Sequence, residues 1–188
     1  MKKLHVFAML IILAMACAAP VQAGQWYVGG GINTVNINED IDIAGLDFKS
    51  GQGLTLNFGY YFQPAFSLDF VLGFSDHKDQ DGDTVSYSRF DMGAQFAFGS
   101  ADGFSPYLGV GIGSHQIDYD DYVDSFTGTS FFLSGGFDYY ITPGHSVDFG
   151  VRIHAWDADL EIGPVTYHNI GDATTTVLSV MYNYHFLM

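Results

Sequence analysis

The sequence predicts an all-β chain that folds as an eight-stranded antiparallel up-and-down transmembrane β-barrel. Three observations carry the prediction: eight segments of alternating apolar and polar residues, connections that are short and long in strict turn, and carboxylates kept off the apolar faces. Strand side chains alternate sides, so a period of two gives each segment one apolar and one polar surface. A soluble sheet buries the first and wets the second. A membrane barrel turns the apolar surface to lipid and keeps a polar lumen.

The chain opens with Met1-Lys2-Lys3, a mostly apolar run from Leu4 to Ala19, and Val21-Gln22-Ala23 before Gly24. A positive start, a short apolar run and a small-residue cleavage point make residues 1–23 a secretory signal peptide. A retained single-pass anchor fits its length and flanks less well. Lipid attachment at Cys17 lacks the usual leucine three residues earlier. The mature chain, residues 24–188, is then a single barrel domain without cysteine, so no disulfide framework exists. Its four basic residues face 21 acidic ones, a formal charge of −17. Such a chain does not bind nucleic acid, whose phosphates need lysine and arginine to neutralise them.

The segments follow in order. Gln25 to Ile37 is glycine-rich, with Trp26, Val28, Gly30 and Ile32 on one side. Gly53 to Phe62 sets Leu54, Leu56, Phe58, Tyr60 and Phe62 against Thr55, Asn57, Gly59 and Tyr61. Phe66 to Ser75 sets phenylalanines and leucines against Ser67, Asp69, Val71 and Gly73. In Tyr87 to Phe98 the apolar face is Phe90, Met92, Ala94, Phe96 and Phe98, and the other carries Arg89, Asp91 and Gly93. Tyr107 to Gln116 opposes Leu108, Val110 and Ile112 to three glycines and His115. Phe131 to Tyr140 opposes Phe131, Leu133, Phe137 and Tyr139 to Ser134, Gly136 and Asp138. Val147 to His154 places Val147, Phe149, Val151 and Ile153 opposite Asp148, Gly150 and Arg152. Thr174 to Phe186 closes the set, with Leu178, Val180, Tyr182, Tyr184 and Phe186 opposite Ser179, Asn183 and His185. Lengths and alternation suit membrane strands, and the count is even.

Gln63-Pro64-Ala65, Ser100 to Gly103 and Thr142-Pro143-Gly144 are short turns, while residues 38–50, 76–86, 117–129 and 157–172 form longer connections. Short turns belong on the periplasmic side of such a barrel and long loops outside, which leaves both termini periplasmic. Sixteen of the 21 carboxylates fall in the four long connections. Asp69, Asp91, Asp138 and Asp148 take lumen positions, and only Asp102 lies in a short turn. A charge facing lipid is costly, and this distribution avoids it.

Trp26-Tyr27-Val28-Gly29-Gly30-Gly31, Gly59-Tyr60-Tyr61-Phe62, Pro106 to Gly113 and Gly135-Gly136-Phe137-Asp138-Tyr139 together resemble the small eight-stranded outer-membrane barrels of the OmpA, OmpX and opacity-protein type. The resemblance spans the mature chain. It implies the outer membrane of a Gram-negative cell, contact with outer-membrane lipids and lipopolysaccharide, and handling by the barrel-assembly machinery. That family ends on an aromatic residue; here Tyr182, Tyr184 and Phe186 are followed by Leu187 and Met188. Lipid A-modifying relatives place a serine two residues after a histidine, whereas this chain has His154-Ala155-Trp156.

An eight-stranded barrel is just wide enough for side chains to fill it. Buried guanidinium groups need carboxylate partners. The expected lumen network is Arg89 with Asp91 and Asp69, and Arg152 with Asp148 and Asp138, with inward glycines giving the arginines and tyrosines room. His115 and His154 face inward near Asp118 and Asp157, a pattern open to a metal or acid–base reading but more simply part of a polar interior. Asp79-Gln80-Asp81-Gly82-Asp83 fails as an EF-hand, since its first and twelfth positions are His77 and Ser88. Asp79, Asp81 and Asp83 remain candidate ligands for a loosely held divalent cation, or a solvated acidic rim. No cofactor is expected. The leading expectation is a non-enzymatic envelope barrel with a plugged lumen and acidic loops. The alternatives are a small channel or OmpW-like carrier of small or apolar molecules, a lipid A-modifying enzyme, and a soluble lipocalin-like barrel.

Overall fold

The alternating segments close on themselves. The computed structural model describes residues 24–41, 48–78, 82–98, 103–119, 124–162 and 164–186. The expected signal peptide lies outside these residues, as do Asp42, Asp47, Asp79, Asp81, Asp102, Asp120, Asp121, Leu187 and Met188. The strands are β1 (Gln25–Ile41), β2 (Gly51–Gln63), β3 (Phe66–Lys78), β4 (Thr84–Ala97), β5 (Phe104–Tyr119), β6 (Asp124–Thr142), β7 (His145–Ile162) and β8 (Val165–His185). Each pairs antiparallel with the next, and β1 pairs with β8 from Tyr27↔His185 to Ile41↔Gly171, giving a closed barrel. Closure removes the free edges that an open sheet would expose. The short β2–β3, β4–β5 and β6–β7 connections share one end with Gln25 and His185, called here the turn end; the opposite end is the loop end.

The parity read from sequence holds across the lipid-facing band. Phe131 and Leu133 are 78% and 66% exposed, while Phe132 between them is buried inside the barrel. Trp26, Tyr60, Phe62, Phe104, Tyr182 and Tyr184 lie on the outer surface towards the turn end, where Trp26 stacks on Phe58 with ring centroids 5.0 Å apart. Aromatic rings at such a boundary form the girdle of a membrane barrel.

The second, third and fourth long connections are shorter than their sequences predict, because most of their residues continue the strands. β7 runs to Ile162 and β8 begins at Val165, so the fourth loop is largely a β-hairpin. The reason is an inversion of polarity along the strands, seen on β5 and β7. On β5 the outward row passes from Leu108, Val110 and Ile112 to Ser114, Gln116 and Asp118, while the inward row ends on His115 and Ile117. On β7 it passes from Ile153 and Ala155 to Asp157, while Trp156 and Ala158 turn inward. Above the lipid band the wall therefore has the polarity of a soluble barrel. Its interior holds an apolar cluster that includes Val35, Ile37, Val85, Tyr87, Ile117, Phe126, Trp156 and Val177. Phe48, arriving from the first loop, packs into the same cluster. Its neighbour Lys49 is held by a backbone bond to the Lys78 carbonyl at 2.9 Å and by His77 Nδ1 on the Lys49 carbonyl at 2.9 Å.

Candidate functional site

Midway along the lumen, β3, β4 and β7 bring the two arginines together with two of the predicted carboxylates. Arg89 and Asp91 stand two residues apart on β4, so both point inward, and they form an ion pair. Arg152 reaches across from β7: Nη2 donates to Asp69 Oδ2 at 2.5 Å and Nη1 to Asp91 Oδ2 at 3.2 Å. None of the four is more than 5% exposed. Charges removed from water to this degree depend on one another, since desolvation must be offset by the pairing. The arrangement corrects two expected pairings: Asp69 serves Arg152 rather than Arg89, and among the described residues the ion pairs of Arg152 run to Asp69 and Asp91, not to Asp138 or Asp148. The Phe132 ring lies under the Arg152 guanidinium, 5.1 Å from its centroid. Phe132 was overlooked in the sequence because it sits within Phe131-Phe132-Leu133; strand parity alone assigns it inward.

Inward glycines make the space for this layer. A Cβ on Gly73 would lie 2.5 Å from Arg89 Nε, and one on Gly93 would lie 2.7 Å from the Phe132 ring. Gly59 likewise takes the Tyr27 ring.

Towards the loop end, the two predicted histidines meet a serine. Tyr87 OH shares a 2.6 Å hydrogen bond with His115 Nδ1, His115 Nε2 one of 2.7 Å with Ser130 Oγ, and Ser130 one of 3.2 Å with His154 Nδ1. Trp156 stacks on His115 with centroids 5.0 Å apart, and its Nε1 donates to Thr175 Oγ1 at 3.0 Å. The acid nearest the histidines is Asp91, 3.8 Å from His154 Nδ1. Asp118 and Asp157, adjacent in sequence, lie on the outer face instead, because each is an odd number of residues away from its histidine. Ser130, His115 and His154 are at most 1% exposed, so the serine bridges two buried rings rather than presenting a nucleophile. Among the described residues, no group of three or more His, Cys, Asp or Glu side chains is placed to hold a metal.

Towards the turn end, Asp138 and Asp148 are register partners across β6 and β7, both buried. The Ser146 hydroxyl donates to Asp138 Oδ1 at 3.4 Å and shares a 2.9 Å bond with His185 Nε2. Tyr27, Tyr61 and Tyr140 surround His185, with ring centroids 5.2 to 6.0 Å from it. A cavity of about 10 Å³ lies between Asp69, Asp148, Asn57 and Arg152. That is about the space of one water molecule.

At the loop end, Asp157 faces Asp172 across β7 and β8, and Asp159 pairs with His168 at 3.0 Å. Of the three candidate loop ligands only Asp83 lies among the described residues, and it is exposed.

A lipid-facing apolar band around a charged, side-chain-filled lumen defines an integral outer-membrane β-barrel protein. Residues 6–186 match the family described as outer membrane protein beta-barrel domain, and the chain belongs to it. No curated protein matches it. Among solved structures it is similar to AlkL in lipid bilayers (18% identity, 91% of this chain and 94% of that one, TM-score 0.63). OprG of Pseudomonas aeruginosa is also similar (17%, 89% and 98%, 0.60). So is Ail, the attachment invasion locus protein of Yersinia pestis (16%, 88% and 100%, 0.54). Ail has also been solved with the heparin analogue sucrose octasulfate.

Proposed function

We propose that this protein is a non-enzymatic envelope barrel whose lumen is closed to ions and whose acidic loop end faces the cell exterior, where it makes surface contacts. One observation carries the reading: Arg152 spans the lumen from β7 to Asp69 on β3 and Asp91 on β4, so the ion pairs cross the path an ion would take. Both termini then lie in the periplasm, and the outer surface meets lipopolysaccharide. Exposed carboxylates such as Asp76, Asp83, Asp157 and Asp172 favour cationic partners or loosely held divalent cations. A sulfated ligand such as the one bound by Ail would be repelled by this rim. The test is single-channel recording of the refolded barrel in a planar bilayer. A silent protein that still shows heat-modifiable migration supports the reading; discrete, reproducible steps overturn it.

A second reading, carriage of a small apolar molecule, is favoured by the apolar lining of the loop-end interior. It requires Phe48 to withdraw from that cluster. Phe48→Ala should then speed uptake of an apolar dye into proteoliposomes, and an unchanged rate would leave the first reading alone.

A further inference from the structure

At the loop end, β6, β7 and β8 run on past the end of β1. β7 and β8 pair up to Ile162↔Val165, and β6 follows β7 to Asp124↔Ile162. β1, the other neighbour of β8, stops at Ile41 opposite Gly171. Among the described residues, the edge of β8 from Val165 to Ile170 therefore faces no strand. A strand edge presents a row of backbone N–H and C=O groups ready to pair with another chain, and proteins keep such edges short, charged or covered where they are not used. At ~3.3 Å per residue this one is about 20 Å long.

The two faces of this extension differ. Leu160, Ile162, Val165 and Tyr167 share one face, because Leu160 pairs with Tyr167 and Ile162 with Val165. Leu160 packs against the apolar cluster inside the barrel, which marks that face as the inner one. Ile162, Val165 and Tyr167 continue it past the rim, 43%, 47% and 51% exposed. They stand above the point where the outer wall turns polar, so hydrocarbon does not cover them. Open apolar groups rimmed by polar ones mark a contact surface. The outer face carries Asp159 and Glu161, with Asp157 and Asp172 opposite each other below them. Among the described residues of this face, His168 alone can answer them, through its pair with Asp159. The three strands contain no lysine, and their one arginine, Arg152, lies in the lumen.

We propose that this edge docks an extended polypeptide segment of alternating apolar and basic residues, which adds a strand beside Val165 to Ile170 at the cell exterior, a placement that rests on the outward-facing loop end of the function proposed above. Strand addition satisfies the backbone groups of the edge, and side-chain alternation sorts the partner's residues between the two faces. Its apolar side chains cover Val165 and Tyr167, while its basic ones lie on the face of Asp159, Glu161 and Asp172. Charge narrows the choice of partner. A sulfated or phosphorylated glycan meets like charge on this face, and a second copy of the chain brings its own carboxylates beside these. A basic extended segment meets neither obstacle. The hairpin tip carries none of the lumen ion pairs, so docking leaves the filled lumen as it is.

The test uses the full mature barrel in nanodiscs of zwitterionic lipid, which leave both ends of the barrel open to solution. The probe is a labelled peptide of alternating lysine and valine, followed by fluorescence anisotropy against empty nanodiscs. It should bind saturably, and more weakly as salt rises. Glutamate in place of lysine should abolish binding. Methylation of the peptide's backbone nitrogens, which keeps its charges but removes its strand donors, should do the same. Replacing residues 159–168 by a two-residue turn should also abolish it. Where that variant fails to fold, Tyr167→Ser should weaken binding about tenfold, as expected for uncovering part of one large side chain, and Glu161→Gln should flatten the salt dependence. Equal binding of the glutamate or methylated peptide, or binding unchanged by loss of the hairpin or by Tyr167→Ser, would overturn the proposal. So would a wild type that ignores the lysine peptide, whether single or paired with its own copy. That result would leave the closed lumen standing, because conductance tests it separately.

Discussion

Arg152 is held on three sides, with two carboxylates in front of its nitrogens and the Phe132 ring under its plane. Removing one member of a buried ion pair strands the other without water, which typically costs about 3–5 kcal/mol. Arg152→Met should lower stability to urea by that order, followed through Trp156 in the interior and Trp26 at the lipid face. Adding Asp69→Asn should recover part of the loss, because the stranded charge is removed; a double variant no more stable than the single one would contradict the pairing. That both arginines point inward was legible from parity. So was Asp91 as a partner of Arg89, but the partners of Arg152 were not. Sequence neighbours suggested Asp148 for Arg152, but strand tilt sets which side chains share a height along the axis, and at the height of Arg152 the facing carboxylates belong to β3 and β4.

Along a single strand, the informative feature is the point where the outward row changes from apolar to polar without any break in pairing. Sequence reading ended β5 at Gln116 and β7 at His154, because alternation with the apolar residues outside stops at Ile112 on β5 and near Ala155 on β7. The alternation in fact persists with its sense reversed, and Ile117, Trp156 and Ala158 are the residues that reveal it. Lysine substitutions along β5 test the boundary. Ile112→Lys, in the lipid band, should cost about 2–4 kcal/mol, while Gln116→Lys should be close to neutral. Ile117→Lys, one residue further, should again be costly because it places an ammonium in the apolar cluster. Unfolding in lipid vesicles would measure all three. A costly Gln116→Lys would put the boundary in the wrong place.

At the scale of the molecule, the strand count, the order and the closure were all readable, because eight alternating segments joined by alternating turns admit few other arrangements. The lengths were not, and the surplus lies mainly in β6, β7 and β8. Pairing of β7 with β8 passes a bulge between Ala158 and Leu160 before reaching the Ile162↔Val165 tip. Replacing residues 159–168 by a two-residue turn should therefore leave a barrel that still migrates as a folded species, and loss of that species would mean the tip is needed for assembly. The acidic strand ends bear on how such a molecule stays in place. With the loop end outside, as proposed, carboxylates such as Asp118, Asp157 and Asp172 would have to traverse hydrocarbon once for the barrel to span the membrane, and leaving again would require the same passage in reverse. In that orientation the rim would work as a ratchet: residence in the bilayer would be set by a kinetic barrier against withdrawal rather than by equilibrium stability alone.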